Sequence, residues 1–432
     1  MLAFVSDLHF MDETAGRHNV SCDAFDLFFQ DLASTVKWHR NKNRDVKELR
    51  IVFLGDIFDL LRTTYWLKPE VKESQRPWGS NQAQMKVHAQ RIFDDIAKKN
   101  ADTFNLLGAP LKDSYGFPFE PDRIYIPGNH DRLCNLFPGL QNRVRKALGL
   151  GAANQPFPHI FTDPHYGVIA RHGHEFDKFN YEGGAALDHH AHMQVPIGDP
   201  ITTELATKFP WRVMQAPKVK ALPEKYRQRL EENLQQVDNV RPFSAVLQWL
   251  LYQVSQFRTL KPIIEDCLDE IVEDFNKLSF VKNWYKHHDR WTDFLDEADK
   301  IQAVLFLLEK FKVFSSEKIL PLVDKAAGLF AKDELAEGAK KENPQFRYVV
   351  YGHTHTPIQR PIRVLQSHQD DGIRREQVYI NTGTWRSRYH KAEEGADFIG
   401  WKNMTYAIFY TAEERGADIP SFETWTGTLK TS

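Results

Sequence analysis

Five short apolar runs that each end in metal-binding residue types constrain the fold of this chain more than any other feature. The runs lead into DLH at 7–9, GDIFD at 55–59, GNHD at 128–131, HGH at 172–174 and GHTH at 352–355. Such runs are typical of buried strands, and helical patterns at 25–38 and 84–98 lie between them. The alternation predicts an α/β fold. Because strands of such a sheet end at one crevice, residues from Asp7 to His355 can converge on one site.

The pattern changes between residues 199 and 344, where helix-period spacing replaces the strand-like runs. Ile264, Leu268, Ile271 and Phe275 alternate steps of four and three residues, as one apolar helix face requires. Strand-like runs return at 348–351, 362–365, 377–381 and 404–411. We therefore predict a core formed by residues 1–198 and 345–432. The large helical insertion, 199–344, would be a cap or an interaction subdomain through which the chain binds a protein partner or a second copy.

Composition restricts the partners and the compartment. Fifty-six Lys and Arg against 58 Asp and Glu give a net charge of -2, so no overall positive charge attracts nucleic acid, although a local basic groove stays compatible with it. The three cysteines lie far apart and match neither a disulfide framework nor a thiolate zinc site. No apolar stretch reaches the roughly 18 residues of a membrane span, and the first residues lack a secretory signal's apolar core. We expect a cytoplasmic protein without a transmembrane segment.

The candidate ligands combine carboxylates, an amide oxygen and imidazoles. This mixture suits Mn, Fe, Zn, Co or Ni better than calcium or a thiolate-bound metal. The candidates are Asp7, His9, Asp56, Asn129, His172, His353 and His355. They are too many for one ion but fit two ions that share a carboxylate. Two ions about 3.5–4 Å apart can hold a phosphoryl group and generate hydroxide from water, so the set predicts hydrolysis of a phosphate ester.

The five blocks, in this order, resemble those of the calcineurin-like metallophosphoesterases. The resemblance implies a four-layer α/β/β/α sandwich of two sheets. It also implies two divalent metal ions, with manganese preferred. One ion would be held by Asp7, His9, Asp56 and His355, and the other by Asp56, Asn129, His172 and His353, so that Asp56 is the bridge.

The same resemblance implies roles for residues that are not ligands. His130 would donate a proton to the leaving oxygen or stabilise its charge, and Asp131 would orient the imidazole. Asp59 would support the ligands, and His174 would either support a ligand or contact the substrate. Independently of the resemblance, Arg386 follows the strand end at 381–385 and is a candidate for binding a phosphate oxygen of the substrate. We therefore expect a phosphoesterase that cleaves a phosphodiester or pyrophosphate linkage by metal-bound hydroxide, with a monoester less favoured.

Three other interpretations stay open. The place of the insertion is similar to that of the helical cap in UDP-diacylglucosamine pyrophosphatases, which carry arginine where this chain has His130. A nuclease of the SbcD type would need a basic channel beside the metals. A non-catalytic scaffold would use the insertion to bind a partner, and such scaffolds usually lose ligands. The histidines at 189–192 suggest either a partly exposed loop near the site or an additional metal, and we favour the loop.

Overall fold

The computed structural model describes residues 1–241, 245–288, 301–302, 305, 334–365, 375–395 and 397–431. Its strands are β1 (Leu2–Val5), β2 (Arg50–Leu54), β3 (Asp122–Ile126), β4 (Phe161–Asp163), β5 (Val168–Ala170), β6 (Tyr348–Tyr351), β7 (Ile358–Leu365), β8 (Arg375–Asn381), β9 (Ser387–Lys391), β10 (Phe398–Tyr410) and β11 (Ser421–Thr431).

The helices before the insertion are α1 (Cys22–Asn41), α2 (Gln82–Lys99), α3 (Ala101–Gly108), α4 (Lys112–Tyr115), α5 (Arg132–Leu136), α6 (Pro138–Leu148) and α7 (His189–Met193). The later helices are α8 (Gly198–Pro200), α9 (Lys208–Gln215), α10 (Pro217–Lys220), α11 (Glu224–Leu234), α12 (Val246–Gln256), α13 (Lys261–Lys277), α14 (Ser279–His288), α15 (Glu334–Ala339) and α16 (Ala412–Arg415). None of the described helices combines the length and apolar composition of a membrane span.

The strands form two mixed sheets. The first has the order β11-β10-β1-β2-β3, with β9 also paired to β10, and the second has the order β4-β5-β6-β8-β7. Strands β1, β2 and β3 are parallel to one another, as are β5, β6 and β8. Antiparallel pairs complete both sheets at their edges. The carboxyl ends of parallel neighbours lie at the same edge of the sheet. The residues that follow β1, β2 and β3 are therefore close together.

Alternation along the strands builds the layers of the sandwich. In β1, Leu2 and Phe4 pack between the sheets, where they meet residues such as Val350 of β6. Ala3 and Val5 lie on the opposite face, in the cluster that contains the apolar faces of α1, α2, α3 and α6. Successive side chains of a strand point to opposite faces, so β1 is buried on both sides. The predicted two-sheet α/β fold is confirmed.

The outer face of the second sheet is covered by α15. Leu335, Ala336 and Ala339 of this helix pack with Val349 and other residues of the sheet. Residues 334–339 were predicted as part of the insertion, but their packing joins them to the sandwich as its fourth layer.

Most of the described insertion has a separate apolar cluster. The cluster joins helices α9, α11, α12, α13 and α14, and Phe209, Leu230 and Phe275 are among its buried members. The described part of the insertion is therefore helical, as predicted, and its helices share a separate apolar core. Most of the positions between 289 and 333 lie outside the described residues, so the structure describes the insertion only in part.

Candidate metal centre

The predicted ligands follow the carboxyl ends of five strands, and the sandwich brings those ends together. The residues after β1, β2, β3, β5 and β6 are, in that order, Asp7 with His9, Asp56, Asn129, His172, and His353 with His355. The last two residues of each of these strands are buried, and the polar side chains begin where the pairing ends.

One group of potential ligands consists of Asp7, His9 and His355. Their ligand atoms lie within 4.8 Å of one another. His355 Nε2 lies 3.0 Å from His9 Nε2 and 3.4 Å from Asp7 Oδ1. All three side chains are buried. Two imidazole nitrogens and a carboxylate so close together could hold one metal ion.

A second group consists of Asp56, His172 and His353, and Asp56 connects it to the first. Their ligand atoms also lie within 4.8 Å of one another. Asp56 Oδ2 is 3.2 Å from His172 Nε2 and 3.7 Å from His9 Nε2. One carboxylate oxygen thus faces an imidazole of each group. This is the arrangement that a carboxylate shared by two ions requires.

Asn129 adds a free oxygen beside these groups. Its Nδ2 donates a hydrogen bond to Asn180 Oδ1 over 3.1 Å. Its Oδ1 is buried and has no hydrogen-bond partner in the described part of the chain. A buried carbonyl oxygen without a partner is costly. The amide is therefore oriented with an oxygen available as a ligand.

Three imidazoles are held through the ring nitrogen that a metal would not use. Metal-binding histidines commonly bond a carboxylate or backbone carbonyl in this way, which fixes the tautomer. The partners are Asp59 Oδ2 for His9 Nδ1 (3.2 Å), the Leu54 carbonyl for His172 Nδ1 (2.9 Å) and Asp177 Oδ2 for His353 Nε2 (2.8 Å). In each ring the other nitrogen stays available to bind a metal.

Backbone conformation also distinguishes these residues. Seven non-glycine residues in the described part of the chain have positive φ, and five of them are candidate ligands. Those five are Asp7 (52°), His9 (47°), Asp56 (52°), His353 (70°) and His355 (60°). Left-handed backbone at such residues costs about 1–3 kcal/mol each and concentrates at functional sites. The fold thus keeps these five residues in an unfavourable backbone conformation, which indicates that the direction of their side chains is important.

The charges of the site favour a cation. Burial raises the pKa of Asp7 to about 6, and the nearby charge of Asp56 adds to this rise while that of His172 opposes it. Burial would lower the pKa of His172, but the Asp56 charge overcomes this effect and raises the pKa to about 10. Asp56 therefore attracts positive charge. A metal ion bound here would replace that proton, because ligation requires neutral imidazole.

His130 lies against the first group, and Asp59 orients it. Its Nδ1 is 3.0 Å from Asp59 Oδ1, and its ring meets the His9 ring edge-on with 4.8 Å between centroids. The predicted partner, Asp131, is turned away. Its carboxylate accepts backbone hydrogen bonds from Ile57 (2.9 Å) and Gly128 (2.5 Å). The prediction that Asp131 orients His130 is therefore wrong: Asp131 fixes the two ligand-bearing loops instead.

His174 lies in a separate buried group, the His174 cluster (His174, Glu175 and His192). Its Nδ1 is 3.6 Å from Glu175 Oε2, and Glu175 Oε1 is 3.2 Å from His192 Nε2. His192 belongs to the short helix α7, so the loop predicted at 189–192 is helical, with His189 and His190 exposed. The cluster could also hold a metal ion. The His174 ring centroid also lies 5.4 Å from that of His172, and the substrate contact of His174 stays a prediction.

A segment of the insertion, residues 235–241, reaches this centre. Its Arg241 Nη2 lies 2.5 Å from His355 Nδ1, and its backbone is anchored by a 2.8 Å hydrogen bond from Arg241 N to Tyr389 O. Asp238 of the same segment accepts from Arg386 Nη1 over 3.5 Å. Arg386, a predicted substrate contact, is thus a fully buried member of an ionic group beside the centre.

Some of these residues had no sequence signal. Arg241 follows no motif. Arg62, whose Nη1 lies 2.9 Å from Asp238 Oδ2, comes three residues after the GDIFD block but has no metal-binding side chain. Asp177 had a weaker signal, because it is a carboxylate five residues after His172 in the HGH block. Only the structure shows that it holds His353.

The residues present fit a metal ion: the available nitrogens, the unpartnered Asn129 oxygen and the central Asp56 carboxylate all belong to one buried region. Comparisons of the chain with protein-family models and with curated proteins found no match.

Proposed function

We propose that this chain is a metal-dependent phosphoesterase that hydrolyses a phosphodiester or pyrophosphate linkage, and that it is related to the calcineurin-like metallophosphoesterases. One observation carries the proposal: Asp56, a member of the second ligand group, also faces His9 of the first group. Within each group the side chains lie close enough together to hold one ion. Two divalent ions bound there, preferably manganese, would hold a phosphoryl group and activate water for attack on phosphorus.

The first ion would be held by Asp7, His9, His355 and Asp56, and the second by Asp56, Asn129, His172 and His353. The neighbouring residues then have defined tasks. Asp59, bonded to His9 Nδ1, leaves Nε2 of that ring facing Asp7 and Asp56. Asp177, bonded to His353 Nε2, leaves Nδ1 of that ring available.

His130 is the proton donor in this proposal. Its Nδ1 is hydrogen-bonded to Asp59, so Nε2 is available to donate a proton to the leaving oxygen. Burial would lower the pKa of His130, but the charges of Asp59 and Asp56 outweigh it and raise the pKa to about 9. In the metal-free chain these charges favour the protonated imidazole, which suits a general acid.

The intact set of candidate ligands makes a non-catalytic scaffold the weaker interpretation. A nuclease is also less favoured, because Arg62 and Arg386 beside the centre are buried and therefore do not offer an exposed basic surface.

The test combines metal analysis with hydrolysis. Plasma mass spectrometry of the purified chain should find two metals per chain after manganese supplementation. The same protein should cleave bis-p-nitrophenyl phosphate, and Asp56→Asn should not. A metal-free chain that cleaves neither this diester nor p-nitrophenyl phosphate would refute the proposal.

A further inference from the structure

Three arginines surround a single carboxylate beside the candidate metal centre. Asp238 Oδ2 lies 2.9 Å from Arg62 Nη1 and 3.5 Å from Arg386 Nη1. Arg241 lies three residues further along the same segment and reaches His355. We call these residues the arginine cluster (Arg62, Arg241, Arg386 and Asp238). Within this cluster three positive charges exceed the one negative charge, although the charge of Asp59 also acts on Arg386.

This excess charge is buried and incompletely paired. The exposed fractions of Arg62 and Arg386 are 1% and 0%. Arg386 Nε and Nη2 and Arg62 Nε have no hydrogen-bond partner within the described part of the chain. Buried charged groups without partners are strongly unfavourable. An anion bound among these arginines would provide both the missing charge and the missing acceptors.

The arginine cluster is continuous with the catalytic side of the proposed site. The Arg62 backbone N–H donates to Asp59 Oδ1 over 2.9 Å, and the same oxygen lies 3.0 Å from His130 Nδ1. Arg241 contacts Nδ1 of His355, whose other nitrogen faces Asp7. An anion held here would therefore lie next to a phosphoryl group at the metal centre.

We infer that the arginine cluster binds a second phosphate group of the substrate, which favours a pyrophosphate linkage over a simple diester. This inference rests on the proposed function. Guanidinium groups match phosphate oxygens with paired hydrogen bonds. In a pyrophosphate, the second phosphate is attached directly to the phosphorus under attack, so it lies close enough to reach the cluster. Because Arg62 and Arg386 are buried, the cluster suits one compact phosphate better than a nucleic acid strand.

Calorimetric titration tests this inference with two probes. Inorganic phosphate offers one group, and methylenediphosphonate offers two groups joined by a carbon that hydrolysis does not cleave. In the manganese-supplemented chain, the diphosphonate should bind more tightly than phosphate. Arg241→Gln should weaken diphosphonate binding by at least about tenfold and leave phosphate binding unchanged, since it removes charge-assisted hydrogen bonds to the second group only.

Asp238→Asn gives the opposite expectation, because it removes the only negative charge of the cluster and should tighten diphosphonate binding. Arg227→Gln is the matched control: Arg227 is a half-buried arginine of the insertion paired with Glu224, and its loss should change neither affinity. If the melting curve shows that Asp238→Asn does not fold, the titration of Arg241→Gln alone tests the inference, because Arg241 is only half-buried.

Two results would overturn the inference. One is an Arg241→Gln variant that binds both probes as the parent chain does, or that loses both equally. The other is a single-stranded oligonucleotide that binds as tightly as the diphosphonate and depends on Arg241, since this would indicate nucleic acid.

Repeating the titration in EDTA separates this inference from the proposed function. Arg241-dependent binding without metals would support the anion site even in a chain that hydrolyses nothing. Hydrolysis that is insensitive to Arg241 would leave the phosphoesterase in place and remove the anion site.

Discussion

Asp59→Asn tests whether one carboxylate supports both metal binding and proton transfer. The Asp59 carboxylate contacts His9 Nδ1 (3.2 Å) and His130 Nδ1 (3.0 Å), and it accepts from the Arg62 backbone N–H (2.9 Å). Asparagine has nearly the same shape but carries no charge. One of its two polar atoms is an N–H₂ donor, which cannot accept from a ring N–H. The substitution therefore disturbs both imidazoles with little change in volume.

The size of the effect follows from these contacts. A hydrogen bond to a charged group contributes about 1.5–3 kcal/mol, which corresponds to about 10- to 150-fold in an equilibrium constant. Loss of a residue that supports a metal-binding histidine typically weakens metal affinity by about 10–100-fold. We expect manganese affinity to fall within this range through His9. At saturating manganese, turnover should still fall by about tenfold or more, because His130 also loses its partner.

Manganese titration followed by hydrolysis of bis-p-nitrophenyl phosphate at saturating metal separates the two effects. Asp31→Asn is the matched control, because Asp31 accepts a 2.5 Å hydrogen bond from Tyr406 outside the centre. Full recovery of turnover by excess manganese would mean that Asp59 acts on His9 alone. Metal affinity and turnover both within twofold of the parent chain would refute the role of Asp59.

Three further substitutions examine the centre. Asp56→Asn should reduce occupancy of both metals in plasma mass spectrometry, because both groups lose the shared charge, and loss of one metal only would contradict the bridge. His130→Ala should keep its metals and slow turnover by about 100-fold or more in the diester assay; an emptied site would refute its role as a non-ligand. Gly55→Ala should abolish metal binding, since Gly55 has φ of 80° and a Cβ there would overlap His172. The control Gly151→Ala, which meets no described atom within 4 Å, should bind metal normally.

The strands that carry the ligands could be predicted because two signals coincide there. Each is a short apolar run, and each ends at turn residues and polar side chains. In β1 and β2 every residue except Arg50 is buried, so the apolar runs are continuous as well as short. The same pattern marks where the chain leaves the sheet, which is where the ligands lie.

Predictions failed where packing between distant segments determines the structure. Pro, Gly and polar residues are clustered in residues 101–121, and such clusters predict a long surface loop. The structure has α3 there, because Phe104 and Leu107 pack into the core beneath the first sheet. Strand β11 was not predicted, since most of its residues are polar and it pairs with β10 at the edge of the sheet.

Site residues outside the motifs could not be predicted for a related reason. Asp131 is adjacent to His130 in the sequence, but neighbouring residues in a loop point in different directions, and the backbone turns its carboxylate toward Ile57. Asp59 reaches His130 instead, from the loop after the neighbouring strand β2. The arginine cluster joins residues 62, 241 and 386, and no local spacing relates positions so far apart.

The position of β1 between β2 and β10 also has a consequence for biosynthesis. Asp7 and His355 are partners in one ligand group, yet about 350 residues separate them. At translation rates of about 5–20 residues per second, roughly 20–70 s pass between the synthesis of the first ligand and that of the last. During this time β1 lacks its antiparallel neighbour. Under the proposed function, metal loading is therefore a late step, which follows the emergence of the second sheet from the ribosome.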